Sequence, residues 1–264
     1  MLVFLKLGGS LITDKNTPLT PKINIISNIA KEIKTILNTD RQLKMIIGHG
    51  SGSFGHSVAK IYNTVEGAKT SQDWEGFIKV WEAARALNQI VIEQFIQNGV
   101  PALSFSPSAM TISHGQKISS WDISSIQMAL SAGLIPLIHG DVVFDTQIGA
   151  TILSTEKLFF HLATRLKPNK ILISGIEKGV WQDFPACTKI IKNITPSSYP
   201  NMMESIQESA SVDVTGGMLA KVSQMVDLVN SINDLEVQIF PGEDINNFKP
   251  VIAGKSIGTM ISRT

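Results

Sequence analysis

Cysteine is almost missing from this sequence. Cys187 is the single one in 264 residues, which excludes an intrachain disulfide and a thiolate metal cage and points to a reducing compartment. Charge is sparse and balanced: 17% of residues are charged and the formal net charge is +1, so no basic footprint awaits a nucleic acid. No apolar run approaches the roughly 18 residues that a membrane-spanning helix needs. The N-terminal MLVFLKLGGSL breaks its short apolar run at Lys6 and then at glycine, unlike a secretory leader. Repeats, low-complexity blocks and Pro/Gly/Ser linkers are lacking too. The expectation is a single cytoplasmic domain over 1–264 with no nucleic-acid partner and no membrane insertion. Its 43% hydrophobic residues suffice for a substantial core.

What the sequence does have is alternation. Leu2–Leu7, Leu43–Ile47, Pro101–Phe105, Leu134–His139, Lys170–Ser174, Glu236–Phe240 and Ser256–Ile261 read as short buried strands. Pro21–Asn38, Trp74–Asn98, Ser124–Ser131, Glu156–Leu166 and Gly216–Ile232 read as helices. Met110–Trp121, centred on His114-Gly115, and Val142–Leu153, centred on Thr146–Gly149, read as hairpins. Strands alternating with helices predict a mostly parallel sheet covered by helices on both faces.

Glycine collects where strands end. Lys6-Leu-Gly8-Gly9-Ser10 follows the first strand and Gly48-His-Gly-Ser-Gly-Ser-Phe-Gly-His56 the second. Asp213-Val-Thr-Gly216-Gly217 opens a helix that carries Lys221 about one turn later. Such breaks expose backbone N–H groups to anions, and glycine puts no Cβ in the way. Lys6, Lys15 and Lys221 supply counter-charge, so the combination points to a polyphosphate ligand. Gly50-Ser-Gly52-Ser-Phe-Gly55 spells G-x-G-x-x-G, but on the second strand–helix turn. Thr70–Glu75, where an acid should end a strand about 20 residues on, begins a helix instead, so a dinucleotide site is not expected. Gly254-Lys255-Ser256 is not a P-loop either, because Lys249 stands where its first glycine belongs.

Taken with Ile12-Thr-Asp-Lys15 and His139-Gly-Asp141-Val, these blocks resemble the amino acid kinase superfamily. They are most similar to its isopentenyl phosphate kinases. The glycine-glycine-serine block marks only the superfamily; ITDK, GSFGH and DVTGG together are narrower and are shared with the fosfomycin kinases. The resemblance runs to Gly258-Thr259. It implies an α/β fold, a three-layer αβα sandwich with an open, mainly parallel sheet. Residues from 1 to about 153 would form an acceptor-binding lobe and those from about 154 to 264 an ATP-binding lobe. The implied reaction converts ATP and isopentenyl phosphate, a small-molecule substrate, to ADP and isopentenyl diphosphate. Mg²⁺ is implied, bound mainly through ATP phosphates and water, and so is a homodimer.

Under that resemblance Lys6, Lys15 and Lys221 neutralise the transferring γ-phosphoryl group and the β-phosphate, with Lys15 as transition-state stabiliser. Asp141 orients the lysines by ion pairing. Gly8, Gly9 and Ser10 donate N–H groups to ATP, and Gly52, Gly175, Gly179, Val180, Trp181, Gly216 and Gly217 complete the nucleotide site with Lys6 and Lys221. Gly50, Ser51, His56, Phe77, Trp81 and Ser154 serve the acceptor. His56 discriminates among acceptors: a phosphate arrives as a dianion, to which a histidine beside the glycine loop donates a hydrogen bond and, if protonated, charge. His49 is read as ordering the loop, and His139 and His161 as structural. Phe77 and Trp81 share a helix face with Trp74 and Val80. They line a prenyl slot or belong to plain core, and the residues alone leave both open.

Two stretches depart from the family pattern. Gly175-Ile-Glu-Lys-Gly179-Val180-Trp181 stands where Thr-Asp-Val-Asp-Gly-Val-Tyr is usual, and Ser154-Thr155-Glu156-Lys157 where Ser-Gly-Asp-Asp is usual. Glu156 can still serve as the acid in a helix's first turn. The lysines, Asp141 and His56 are intact, so an active kinase is expected. The alternatives are a fosfomycin-type phosphonate kinase, a carboxylate-accepting amino acid kinase and a non-catalytic nucleotide sensor.

Overall fold

Alternation along the first strand sets the architecture. In β1 (Leu2–Leu7) the side chains of Val3, Leu5 and Leu7 enter one core and Phe4 enters another, because successive Cβ atoms point to opposite faces. Lys6 therefore shares the face of Phe4, at the carboxyl end of the strand. The computed structural model describes residues 1–62, 64–208 and 217–264, without the side chains of residues 56, 57, 60, 65, 205, 207 and 208.

After β1 come α1 (Gly9–Ile12), α2 (Ile23–Thr39), β2 (Lys44–His49), α3 (Gly52–Tyr62) and α4 (Ser71–Gln97). Next are β3 (Ala102–Ser104), α5 (Pro107–Met110), the hairpin of β4 (Thr111–His114) and β5 (Lys117–Trp121), and α6 (Ser124–Ser131). Then follow β6 (Ile135–His139), the hairpin of β7 (Asp141–Asp145) and β8 (Gly149–Leu153), α7 (Thr155–Leu166) and β9 (Lys170–Gly175). The chain closes with β10 (Val180–Trp181), β11 (Ile190–Ile191), β12 (Asn193–Ile194), α8 (Met203–Glu208), α9 (Gly217–Ser231), β13 (Glu236–Pro241), α10 (Phe248–Ile252) and β14 (Thr259–Ile261).

Eight strands form one sheet in the order β12-β14-β13-β9-β1-β2-β6-β3, parallel except where β13 meets β14. One face packs on α2, α4 and α10 through Ile29, Leu87 and Val251; the other packs on α6, α7 and α9 through Ile126, Phe159 and Met225. This is the expected αβα sandwich, and the strand and helix boundaries lie within a few residues of those read from periodicity. A separate four-stranded sheet, β5-β4-β7-β8, contains both expected hairpins. Among the described residues no helix is long and apolar enough to cross a membrane.

The differences lie in short elements. The glycine run after β2 is not a loop throughout, since α3 begins at Gly52 within it. The ribbon β10–β11, strand β12 and helix α10 escape periodicity because two to five residues do not complete a period.

Candidate active site

The glycine breaks after β1 and β2 meet at the carboxyl edge of the main sheet. The residue following each strand continues the ladder to its neighbour: Gly50 N–H donates to Leu7, Gly8 to Ser174, Gly140 to His49 and Gly242 to Gly175, at 2.7–3.1 Å. This takes two expected phosphate donors out of the site. The N–H groups of Gly8 and Gly50 are spent on the sheet. Those of Gly9, Ser10, Ser51 and Gly52 have no acceptor among the described residues. They stand in the first turn of α1 and at the start of α3, where helix N–H groups lack intrahelical partners.

The loops after β1 and β2 lie backbone against backbone. A Cβ on Gly9 would fall 2.4 Å from the Gly52 nitrogen, and Gly52 itself holds φ +50, so neither position accepts a larger residue without displacement. The Lys6 Cε lies 4.0 Å from where a Cβ on Gly50 would sit, which places its ammonium beside the junction.

Lys6 is buried, and its ammonium donates to Glu156 in the first turn of α7. Burial pushes the Glu156 carboxyl up, but Lys6 and then Lys221 outweigh it and hold the acid below its ordinary range. Lys221 stands on α9, and its charge acts on the same acid. The contact to the Lys6 ammonium is made by Glu156. Asp141 is buried and accepts from Ser108 N–H at 3.1 Å and from Val142 N–H at 2.9 Å. Burial raises the Asp141 carboxyl to about 6 against the pull of the Ser108 hydrogen bonds.

Burial drives His49 down to about 3, aided by the neighbouring His139 ring, and drives His139 to about 4. The two neutral rings stack with centroids 5.5 Å apart. His139 Nε2 lies 3.6 Å from Asp141, but the ring is neutral wherever the acid is ionised, so this is no ion pair. His49 orders the loop through Gly50 O at 3.1 Å and the Asn88 amide at 3.3 Å. His161 stacks on Trp121, a structural place.

The other expected residues are distributed as follows. Lys15 is exposed on the segment between α1 and α2. The His56 backbone lies in α3 and its side chain outside the described residues, as does Gly216; Gly217 opens α9. Ser154 caps α7, its hydroxyl accepting from Lys157 N–H at 3.2 Å. Gly175 ends β9 and Gly179 faces Thr259, where a Cβ would stand 2.7 Å from the hydroxyl. Val180 is wholly buried and its N–H donates to Thr259 at 2.8 Å, which anchors the ribbon. The Trp181 indole N–H is held by Glu177 at 2.7 Å.

Phe77 is buried in a small cluster with Ala59, Val80, Val142 and Ala150, apart from the two main cores, and Trp81 packs half-buried against it. Trp74, Phe77 and Phe144 form a triangle of rings with centroids 5.3–5.9 Å apart. Phe144 was missed in the sequence because a hairpin position carries no signal that it meets a helix.

The chain is similar throughout to known proteins. The model of the Amino acid kinase family matches residues 1–241. The isopentenyl phosphate kinase of Methanocaldococcus jannaschii is 36% identical, with 99% of this chain and 98% of the relative covered. That of Haloferax volcanii is 31% identical, with 98% of each covered. A solved structure of isopentenyl phosphate kinase superposes with a TM-score of 0.83 at 27% identity, covering 99% of this chain and 100% of the other.

Proposed function

The chain belongs to the amino acid kinase family and within it to the isopentenyl phosphate kinases, and on that premise we propose how its residues carry out the reaction. It transfers a phosphoryl group from ATP to isopentenyl phosphate, giving isopentenyl diphosphate and ADP. The observation that carries this reading is the backbone contact of the two glycine loops beside a buried, acid-held lysine.

Phosphoryl transfer asks for in-line positioning and for charge where the phosphates crowd. Gly9 and Ser10 offer N–H groups to the nucleotide phosphates, and Ser51 and Gly52 offer theirs where the acceptor meets the transferring group. An oxygen of the acceptor phosphate attacks the γ-phosphorus. The bond to the β-phosphate bridging oxygen breaks, and its electron pair leaves on ADP. A phosphate monoester, with a second pKa of about 6, is already largely ionised at neutral pH and needs no general base. The engagement of Asp141 with Ser108 is compatible with that economy. Lys6, fixed by Glu156, and Lys221 neutralise charge on the phosphates; Lys15 stabilises the transition state, and His56 binds the acceptor phosphate.

Mg²⁺ bound to the nucleotide supplies further charge neutralisation. Among the described residues no three His, Cys, Asp or Glu side chains converge, and Glu156 is engaged with Lys6, so phosphate oxygens and water would hold the ion. Phe77 and Trp81 face the prenyl tail. Residues up to about 153 bind the acceptor and those from about 154 the nucleotide. The enzyme works in the cytoplasm as a homodimer. An ADP-release assay with isopentenyl phosphate, dimethylallyl phosphate, fosfomycin and acidic amino acids in parallel tests the reading. Turnover of a prenyl phosphate is expected, and none with either would sink it.

A further inference from the structure

Thr13 belongs to neither glycine loop. It is wholly buried where α1 ends, and its own N–H donates to the Gly9 carbonyl at 2.9 Å. Its hydroxyl donates to that same carbonyl at 2.8 Å and accepts from Ser53 N–H, in the first turn of α3, at 3.0 Å. One oxygen atom therefore ties the loop after β1 to the loop after β2. The tie is tight, because a Cβ on Gly52 would lie only 2.1 Å from this oxygen. The backbone of Thr13 also bridges to Pro21, closing the base of the segment that carries Lys15.

The position of this tie gives it consequence. On one side stand the N–H groups of Gly9 and Ser10, on the other those of Ser51 and Gly52. Phosphates held by these two sets must meet at an in-line distance, and a misplacement of about 1 Å can cost roughly 100-fold in rate. Glycine backbone supplies the rest of the contact, and it has no side chains to interlock. Beside the Gly50 N–H bond to Leu7 at the strand ends, the hydroxyl is the side-chain link that resists sliding or opening. Without it Ser53 N–H, in the first turn of α3, would lose this hydrogen bond in a part-buried place.

We propose that Thr13 is a positioning residue whose hydroxyl sets the separation of the two phosphate-holding loops, and so the distance across which the phosphoryl group moves. The proposal rests on the phosphotransferase reading above. Thr13→Val keeps the branched shape and removes both hydrogen bonds, whereas Thr13→Ser keeps the hydroxyl. Both are compared with wild type by kcat and KM for ATP and isopentenyl phosphate, and by amide hydrogen exchange at Ser53 in the ligand-free protein.

For Thr13→Val, kcat is expected to fall about 10- to 100-fold with both KM values within about threefold, and Ser53 exchange to accelerate at least tenfold or so. Thr13→Ser should return kcat to within about threefold of wild type. An unchanged kcat, a loss confined to KM, or a serine variant no better than valine overturns the proposal. Should Thr13→Val fail to fold, Thr13→Ala against Thr13→Ser decides, and equal kcat overturns it. A wild-type protein without turnover on any phosphate acceptor would refute the functional reading instead. Exchange at Ser53 would then decide whether the tie exists.

Discussion

The Lys6 ammonium donates to the Glu156 carboxylate in a pocket that leaves only 7% and 6% of the two side chains exposed. Removing one partner of such a pair strands a buried charge, which typically costs about 3–5 kcal/mol. Glu156→Gln keeps a hydrogen-bond acceptor, so stability should fall by somewhat less, on the order of 2 kcal/mol. Its kcat should fall at least tenfold or so, because the lysine loses its fixed place. Glu156→Asp, which retains the charge on a shorter arm, should lie between. Steady-state kinetics with denaturant unfolding measures both effects; wild-type kcat in Glu156→Gln would exclude Glu156 as the organiser of Lys6.

Gly9→Ala directs a methyl group at the Gly52 nitrogen, 2.4 Å away. The loops must then separate, and a displacement near 1 Å predicts roughly 100-fold lower kcat. Circular dichroism should show the fold retained, since the strain is confined to the junction of two loops. A Gly9→Ala enzyme with normal turnover would show that the loop contact is irrelevant to the chemistry.

His56→Ala tests the acceptor. Loss of a charge-assisted hydrogen bond to the acceptor phosphate should lower kcat/KM for isopentenyl phosphate about 10- to 100-fold while ATP affinity stays near wild type. Calorimetric titration with a non-hydrolysable ATP analogue separates the two. Equal loss toward ATP and acceptor would move His56 out of the acceptor site.

Asp141 makes stability depend on pH in an unusual direction. Its carboxyl is raised from 3.8 to about 6 by burial, so the folded protein holds the proton more tightly than the unfolded chain does. The stabilisation is complete below about 3.8 and is lost as pH rises through about 6. Asp141→Asn cannot ionise, so its stability relative to wild type should rise by on the order of 3 kcal/mol between about pH 4 and about pH 8, on top of a constant cost for the N–H of Ser108 or Val142 that the amide cannot accept. Thermal melts across that range check it; a difference that stays constant with pH would contradict it.

Substitutions on the aromatic face of α4 distinguish a prenyl pocket from plain core. Trp81→Ala should raise KM for isopentenyl phosphate about tenfold and leave KM for ATP unchanged, as expected for a lost apolar contact of about 1.4 kcal/mol. Phe77→Ala should show the same split and also lose roughly 3 kcal/mol of stability, since Phe77 is buried. If both variants bind isopentenyl phosphate normally, the cluster is core alone.

Much of this was written along the chain. Val3, Leu5 and Leu7 against Phe4, and the isoleucines of Ile23–Thr39, set strand and helix faces, because a period of 2.0 or 3.6 is a local property of the backbone. Glycine at the ends of Leu2–Leu7 and Lys44–His49 marked the candidate site edge for the same reason: an unobstructed N–H is a property of one residue. The tertiary structure decided which groups share that edge. Glu156 reaches Lys6 across 150 residues, and Asp141 accepts from Ser108 across 33. Gly8 and Gly50 give their N–H groups to neighbouring strands, and Thr13 joins two loops 40 residues apart. Such pairings depend on strand order and on the direction of each side chain in space. Neither is contained in spacing along a sequence.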